Sequence, residues 1–135
     1  MINSNLPLVK RTLDYQDRIA IIDGNGQYPY KQLLETSHSV ASTLMHSRRD
    51  LGGARIAFMV PSGFEYVAVQ WGIWLAGGMA VPLCTFHPLL EIENVMEDTG
   101  ADIVIVHPEF EEKLKPLKSK SNFSFLSTEK VIDGE

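Results

Sequence analysis

The sequence predicts an α/β fold, a β-hairpin followed by a βαβαβ parallel sheet. Three observations predict it. Aliphatic runs at residues 55–60, 79–83 and 102–106 have the length of strands. The segments between them carry apolar residues at steps of three and four, the period of a half-buried helix. The links are short and rich in glycine and proline, so successive strands run parallel, joined by right-handed crossovers.

The elements follow in chain order. After a polar start, residues 18–23 form an isoleucine-rich run that ends in Asp23. Gly24, Asn25 and Gly26 tolerate positive φ, and residues 27–30 return the chain, which makes a hairpin. Pro29 cannot donate a ladder hydrogen bond, so the second strand is an edge or ends there. Residues 31–47 have helical period, with Leu33, Ser37, Val40, Ala41 and Leu44 on one face. Gly52 and Gly53 lie in the link to the strand at 55–60, and residues 61–63 turn the chain. Ser62 and Glu65 have the spacing of a capping box. Phe64, Val67, Ala68, Trp71, Trp74 and Leu75 make the next helical stripe, which Gly77 and Gly78 end. The second strand is 79–83.

Pro88 begins the following helix, whose buried stripe is Leu89, Ile92, Val95, Met96 and Thr99. Glu91 and Glu93 suit its positive end, and Gly100 stops it. The third strand, 102–106, starts at Asp102 and is otherwise aliphatic, as in a sheet covered on both faces. Residues 108–118 form a helix with Phe110, Leu114 and Leu117 on one side, and 123–126 a fourth short strand. Residues 1–126 thus read as one partial subdomain and 127–135 as a polar tail.

Composition narrows the function. Hydrophobic residues are 44% of the 135, enough for a core. The net charge of -5, with no basic run longer than Arg48-Arg49, argues against nucleic-acid binding. The longest apolar stretch, 71–83, is broken by Gly72, Gly77, Gly78 and Pro82, too interrupted for a transmembrane segment. Residues 1–7 lack the charged and apolar regions of a signal peptide. The single cysteine, Cys84, cannot make an internal disulfide, so a cytoplasmic location is expected. With no neighbouring cation it reads as a small semi-buried thiol rather than a nucleophile.

The residues themselves assign no catalytic, cofactor-binding or metal site. A phosphate cradle needs glycines between a strand and a helix, whereas Gly52-Gly53 and Gly77-Gly78 both precede strands. Pro61-Ser62-Gly63 has the right context but one glycine and no lysine, and reads as a plain helix start. Ser62 also lacks the Gly-x-Ser-x-Gly elbow of a nucleophile. Of His38, His46, His87 and His107, none is spaced with a carboxylate or histidine in a ligand pattern, and His38 and His46 are too far apart to chelate. His87 and His107 follow strands, where α/β sites open. Glu109, Glu111 and Glu112 read as a solvated face, and Trp71 and Trp74 as core or interface anchors.

Four blocks then carry a resemblance. Tyr30 to Leu33 is similar to a Tyr-x-x-Leu block. Arg55 to Tyr66 resembles a Gly-Asp-Arg-Val-Ala-Ile-x-x-Pro-Asn-Ser-x-Glu-Phe block. Ala76 to Leu83 resembles Ala-Gly-Ala-Val-x-Val-Pro-Leu, and His87-Pro88 through Asp102 resembles a Pro-led helix ending in Asp-Ser-Gly-Ala-Lys. In this order and spacing, over roughly residues 6–126, they resemble the AMP-forming acyl-CoA synthetase and adenylation-domain superfamily, amino-terminal part. The stretch from Pro82 to Pro88 looks most like the malonyl-CoA synthetase branch.

The resemblance implies a two-step ligase in fatty acid metabolism. A carboxylate attacks the α-phosphate of ATP, pyrophosphate leaves, and a thiol such as that of CoA displaces AMP. ATP, Mg²⁺ and CoA are implied for the full-length family, none of them held by this chain. The family's phosphate loop ending in Pro-Lys-Gly, its Tyr-Gly-x-Thr-Glu block, its ribose-binding aspartate and its catalytic lysine have no counterpart here. No family catalytic residue therefore maps to a position in this sequence, and the chain alone is expected to be inactive. Its expected partner is the remainder of a ligase chain. The other readings are a stand-alone non-catalytic α/β module and a remnant that assembles with a separate carboxy-terminal chain. Incomplete cover is expected over Trp71, Trp74, Val95 and Met96, and with it self-association.

Overall fold

The computed structural model describes residues 5–46, 50–101, 103–120 and 123–134. Ser47, Arg48, Arg49 and Asp102, which figured in the helix, charge and strand assignments, lie outside these. Residues 7–15, read as part of a polar start, are helical. Pro7 sits in the first turn of helix α1 (Pro7–Thr12), and a 3₁₀ turn, Leu13–Tyr15, follows.

Strands β1 (Ile19–Asp23) and β2 (Gly26–Pro29) form the expected antiparallel hairpin, with a register irregularity between Ile19 and Ile21. β2 ends at Pro29, the N-cap of helix α2 (Tyr30–Leu44). Three β/α units follow: β3 (Arg55–Met59) with α3 (Phe64–Leu75), β4 (Met79–Pro82) with α4 (Leu89–Thr99), and β5 (Ile103–Val106) with α5 (Glu111–Lys118). A 3₁₀ turn, Pro108–Phe110, leads into α5. β6 (Ser124–Ser127) and α6 (Thr128–Asp133) come last. The second sheet is fully parallel, in the order β4-β3-β5-β6. The α/β hairpin-and-parallel-sheet architecture read from the sequence is the one observed.

The pleat of β3 divides the core. Ile56, Phe58 and Val60 join a cluster with α2, α3 and α6, while Ala57 and Met59 join one with α4 and α5. β5 divides likewise, Ile105 to the first face and Val104 and Val106 to the second. Phe58 is fully buried, worth about 1.5–3 kcal/mol relative to exposure. Its ring meets Tyr66 edge-on at 5.0 Å.

α2 and α3 pack very closely. A Cβ built on Gly72 would collide with Val40 and lie 3.0 Å from the Ser37 carbonyl oxygen. On β4, the amides of Met79 and Leu83 donate to Ala54 and Phe58 of the β3 side, at 2.8 and 2.9 Å. The intervening Ala80 and Pro82 therefore direct their main-chain polar groups to the open margin of the sheet.

Three expectations need correction. Residues 128–133 are not a polar tail: they form α6, whose Thr128 and Val131 are buried against α2. The segment reads as polar because only Val131 and Ile132 are apolar, and the surface that covers them, α2, is distant in sequence. Incomplete cover holds for only half of the four residues expected to show it: Trp71 and Met96 are buried, at 8% and 0% exposed, while Trp74 and Val95 are half-buried. Among the described residues, the exposed large apolar side chains are Leu8, Leu13, Ile19, Ile22, Met79, Phe86 and Leu90. Finally, α3 has no Ser62 cap. Its N-cap is Gly63 at φ 151°, which moves Ser62 one residue out of capping position.

Candidate functional site at the carboxyl rim of the sheet

β3 and β5 are neighbours, yet α3 packs on one face of the sheet and α5 on the other. Their connections part at the carboxyl ends of the strands, which is where open α/β sheets place ligands. The switch point lies between the residues that follow the two strands, 60–63 and 107–110. The loop after β4 flanks it on the same rim.

On the β3 side the functional acceptor is Asp23, brought in by the hairpin. Its Oδ2 accepts from the Phe64 amide at 2.9 Å, and its Oδ1 from the amides of Asn25 and Gly26 at 2.8 and 3.2 Å. These amides, Phe64 first, hold the Asp23 carboxyl below its ordinary value. A negative charge at the first turn of α3 also suits the helix dipole. A side chain at Gly63 would bring its Cβ to 2.8 Å from Asp23 Oδ2, so glycine is needed for this approach. Tyr28 stacks on Phe64 at 4.2 Å and completes the mooring of hairpin to helix. Sequence reasoning placed Asp23 only at a strand end. The signal was its Asp-Gly-Asn-Gly turn, but a cap acting across 41 residues is not local information.

On the β5 side, the His107 amide donates to the Met59 carbonyl at 3.0 Å and so prolongs the β3–β5 ladder. Its Nδ1 accepts from the Glu109 amide at 3.1 Å and caps the 3₁₀ turn. That bond places the neutral ring's proton on Nε2. His87 does have a carboxylate at i+4, contrary to the spacing argument: its Nδ1 is 3.8 Å from Glu91 Oε2. Both side chains are exposed, and the pair is a surface contact rather than a ligand set. Lys113 reaches from α5 to donate to the Thr85 carbonyl at 2.7 Å, tying the β4 loop down.

The other candidates disperse. Ser62 is exposed and makes no hydrogen bond to His107. Cys84 is exposed, not semi-buried, because β4 ends at Pro82 and Leu83 takes the inward position. Glu109, Glu111 and Glu112 are exposed, as a solvated face requires. Trp71 is buried and Trp74 half-buried. His38 and His46 line a cavity of about 750 Å³ between α2 and α6, together with Lys130. His38 Nδ1 is already engaged with the Leu34 carbonyl at 2.9 Å. Among the described residues, no three His, Cys, Asp or Glu side chains gather to hold a metal ion. The rim thus offers capped turns and main-chain groups, with no nucleophile–base pair. It can shape a pocket wall.

Comparison with known proteins bears on what that wall serves. The family model described as AMP-binding enzyme matches residues 9–133. The mitochondrial malonate–CoA ligase ACSF3 of Mus musculus is 33% identical over 122 residues, 87% of this chain and 21% of that enzyme. The chain spans about a fifth of the length of such curated relatives. The anthranilate CoA ligase AuaEII, solved with anthranoyl-AMP, superimposes with a TM-score of 0.82 at 22% identity, over 100% of this chain and 29% of that one. The N-terminal domain of FACL13 from Mycobacterium tuberculosis gives 0.83 at 18% identity, over 98% and 35%. The two solved structures speak for the fold.

Proposed function

The chain belongs to the AMP-binding enzyme family, and from that premise we propose that it is the amino-terminal segment of an ATP-dependent acid–thiol ligase acting on malonate or a similar short acid. The observation that carries this is the identity with malonate–CoA ligase along nearly the whole chain. In the full enzyme the acid would attack the α-phosphate of ATP, and CoA would displace AMP from the acyl-adenylate. Developing phosphate charge in such a step needs preorganised donors or a cation. The rim described above supplies neither a lysine-bearing glycine loop nor a metal-ligand cluster, so these groups belong to the remainder of the ligase. The chain contributes scaffold as part of the amino-terminal subdomain, α6 included.

The chain alone is inactive on this reading. Pyrophosphate exchange into ATP with malonate should not rise above the protein-free background. Grafted in place of the matching fifth of a malonate–CoA ligase, the chain should restore malonate-dependent exchange. Exchange by the isolated chain would defeat the scaffold reading. A soluble, folded graft that fails to restore exchange would defeat the assignment to the malonate–CoA ligase branch alone.

Self-association of the isolated chain is supported by Phe86 and Leu90, 92% and 67% exposed, and by the unpaired margin of β6. A mass from light scattering above that of one chain is the expected result. Among the described residues no helix is long and apolar enough to cross a membrane. The lone exposed thiol supports a reducing compartment, the cytoplasm in the simplest case.

A further inference from the structure

A cavity of about 500 Å³ opens where α1, its following 3₁₀ turn and the start of β1 meet α3. Leu8, Ile19 and Trp71 supply its apolar surface, and Tyr15 and Tyr30 its aromatic walls. Arg11, Thr12 and Arg18 complete the lining, and no carboxylate contributes to it. We infer that this groove is a docking surface for an acidic, amphipathic segment of a partner protein.

Three observations lead there. Leu8 and Ile19, which both line the groove, are 47% and 46% exposed, so two of the exposed large apolar side chains meet at one cavity. Such clustering marks interfaces, whereas scattered exposed leucines do not. Second, neither Arg11 nor Arg18 has a carboxylate within salt-bridge distance among the described residues, although the chain carries a net charge of -5. Asp14 and Asp17 lie on the same stretch but do not line the groove. The Arg18 guanidinium instead sits 4.9 Å over the Tyr15 ring, which holds its planar donor fork on the aromatic wall. Third, Trp, Tyr and Arg together are the residue types that dominate binding energy at protein interfaces. Unpaired guanidiniums beside apolar anchors select a ligand with carboxylates flanking apolar side chains, bound through two-pronged ion pairs.

The test uses two synthetic helical peptides of about twenty residues. Both carry leucine at i, i+3, i+4 and i+7; the remaining positions are glutamate-rich in one and lysine-rich in the other. Binding of the labelled peptides to the 135-residue chain is followed by fluorescence anisotropy. The glutamate peptide should bind at least about tenfold more tightly than the lysine peptide, and less tightly in high salt. The double variant Arg11→Glu, Arg18→Glu should invert that preference while circular dichroism stays unchanged. The inversion separates docking from loss of fold, because an unfolded variant would bind neither peptide selectively. Equal affinities, no binding at about millimolar peptide, or a preference unmoved by the double variant would overturn the assignment. A dimer of the chain that the double variant disperses would give the groove to a second copy and overturn it too.

Discussion

Across the sheet from α2 and α3, whose backbones approach at Gly72, α4 and α5 cover the opposite face. The first face buries Phe64, Ala68, Val69, Trp71, Gly72, Ile73 and Leu75 from α3, and Leu33, Leu34, Ser37, Val40 and Ala41 from α2. The second buries Ile92 and Met96 from α4, and Leu114 and Leu117 from α5, which has Pro116 within it. A helix buried nearly all round, like α3, acts as core. A helix with one buried stripe acts as a lid that can settle when a side chain is trimmed. The lesson is that equal β/α units in sequence need not share the stability equally.

Substitutions can break or sharpen this contrast. The largest effect is expected at Phe58→Ala, under the first face, with a loss of about 3–5 kcal/mol in urea unfolding. Met96→Ala, under the second face, should cost about 2 kcal/mol, the low end for such truncations, because α4 can close on the space. Equal losses at the two positions would erase the distinction.

Gly72→Ala tests the close crossing directly. Alanine favours a helix by about 1 kcal/mol over glycine, yet a net loss of about 1–3 kcal/mol is expected as Val40 is forced aside. A stabilised variant would show that the crossing yields.

Asp23→Asn should have the smallest effect, since the amide oxygen can still accept a hydrogen bond and only the charge is lost. The folded value of the Asp23 carboxyl lies below 3.8, so its contribution is complete above about that pH and is lost as pH falls through the lowered value. The difference in thermal midpoint between parent and variant should therefore shrink between about pH 7 and about pH 2. A constant difference would show that the charge plays no part in mooring the hairpin.

The contrast between the faces also explains what could be read from the sequence. The alternation of Ile56, Phe58 and Val60 with Ala57 and Met59 is a local pattern, and it carried the strands and their two-sided cover. Gly77 and Gly100 end their helices at φ 84° and 70°, as residue type alone indicates. Helices α1 and α6 escaped notice because each is six residues long and too short for a period to register. The exchange of Ser62 for Asp23 as the acceptor at α3 was hidden for another reason: the hairpin must dock before the two meet. At the rim, capped turns and an exposed i,i+4 pair replaced anything resembling a reacting group, and the ligase reading came from block order rather than from chemistry visible in these residues.

The proline that ends β4 gives the parallel sheet a grain. Pro82 stands at a position whose main-chain groups look outward, and it has no hydrogen to offer there. An incoming strand on that flank would find a broken row of donors. The far flank, Ser-Phe-Leu-Ser, has every amide in place. A strand added past β6 would thus meet a complete row of donors, which the β4 flank lacks.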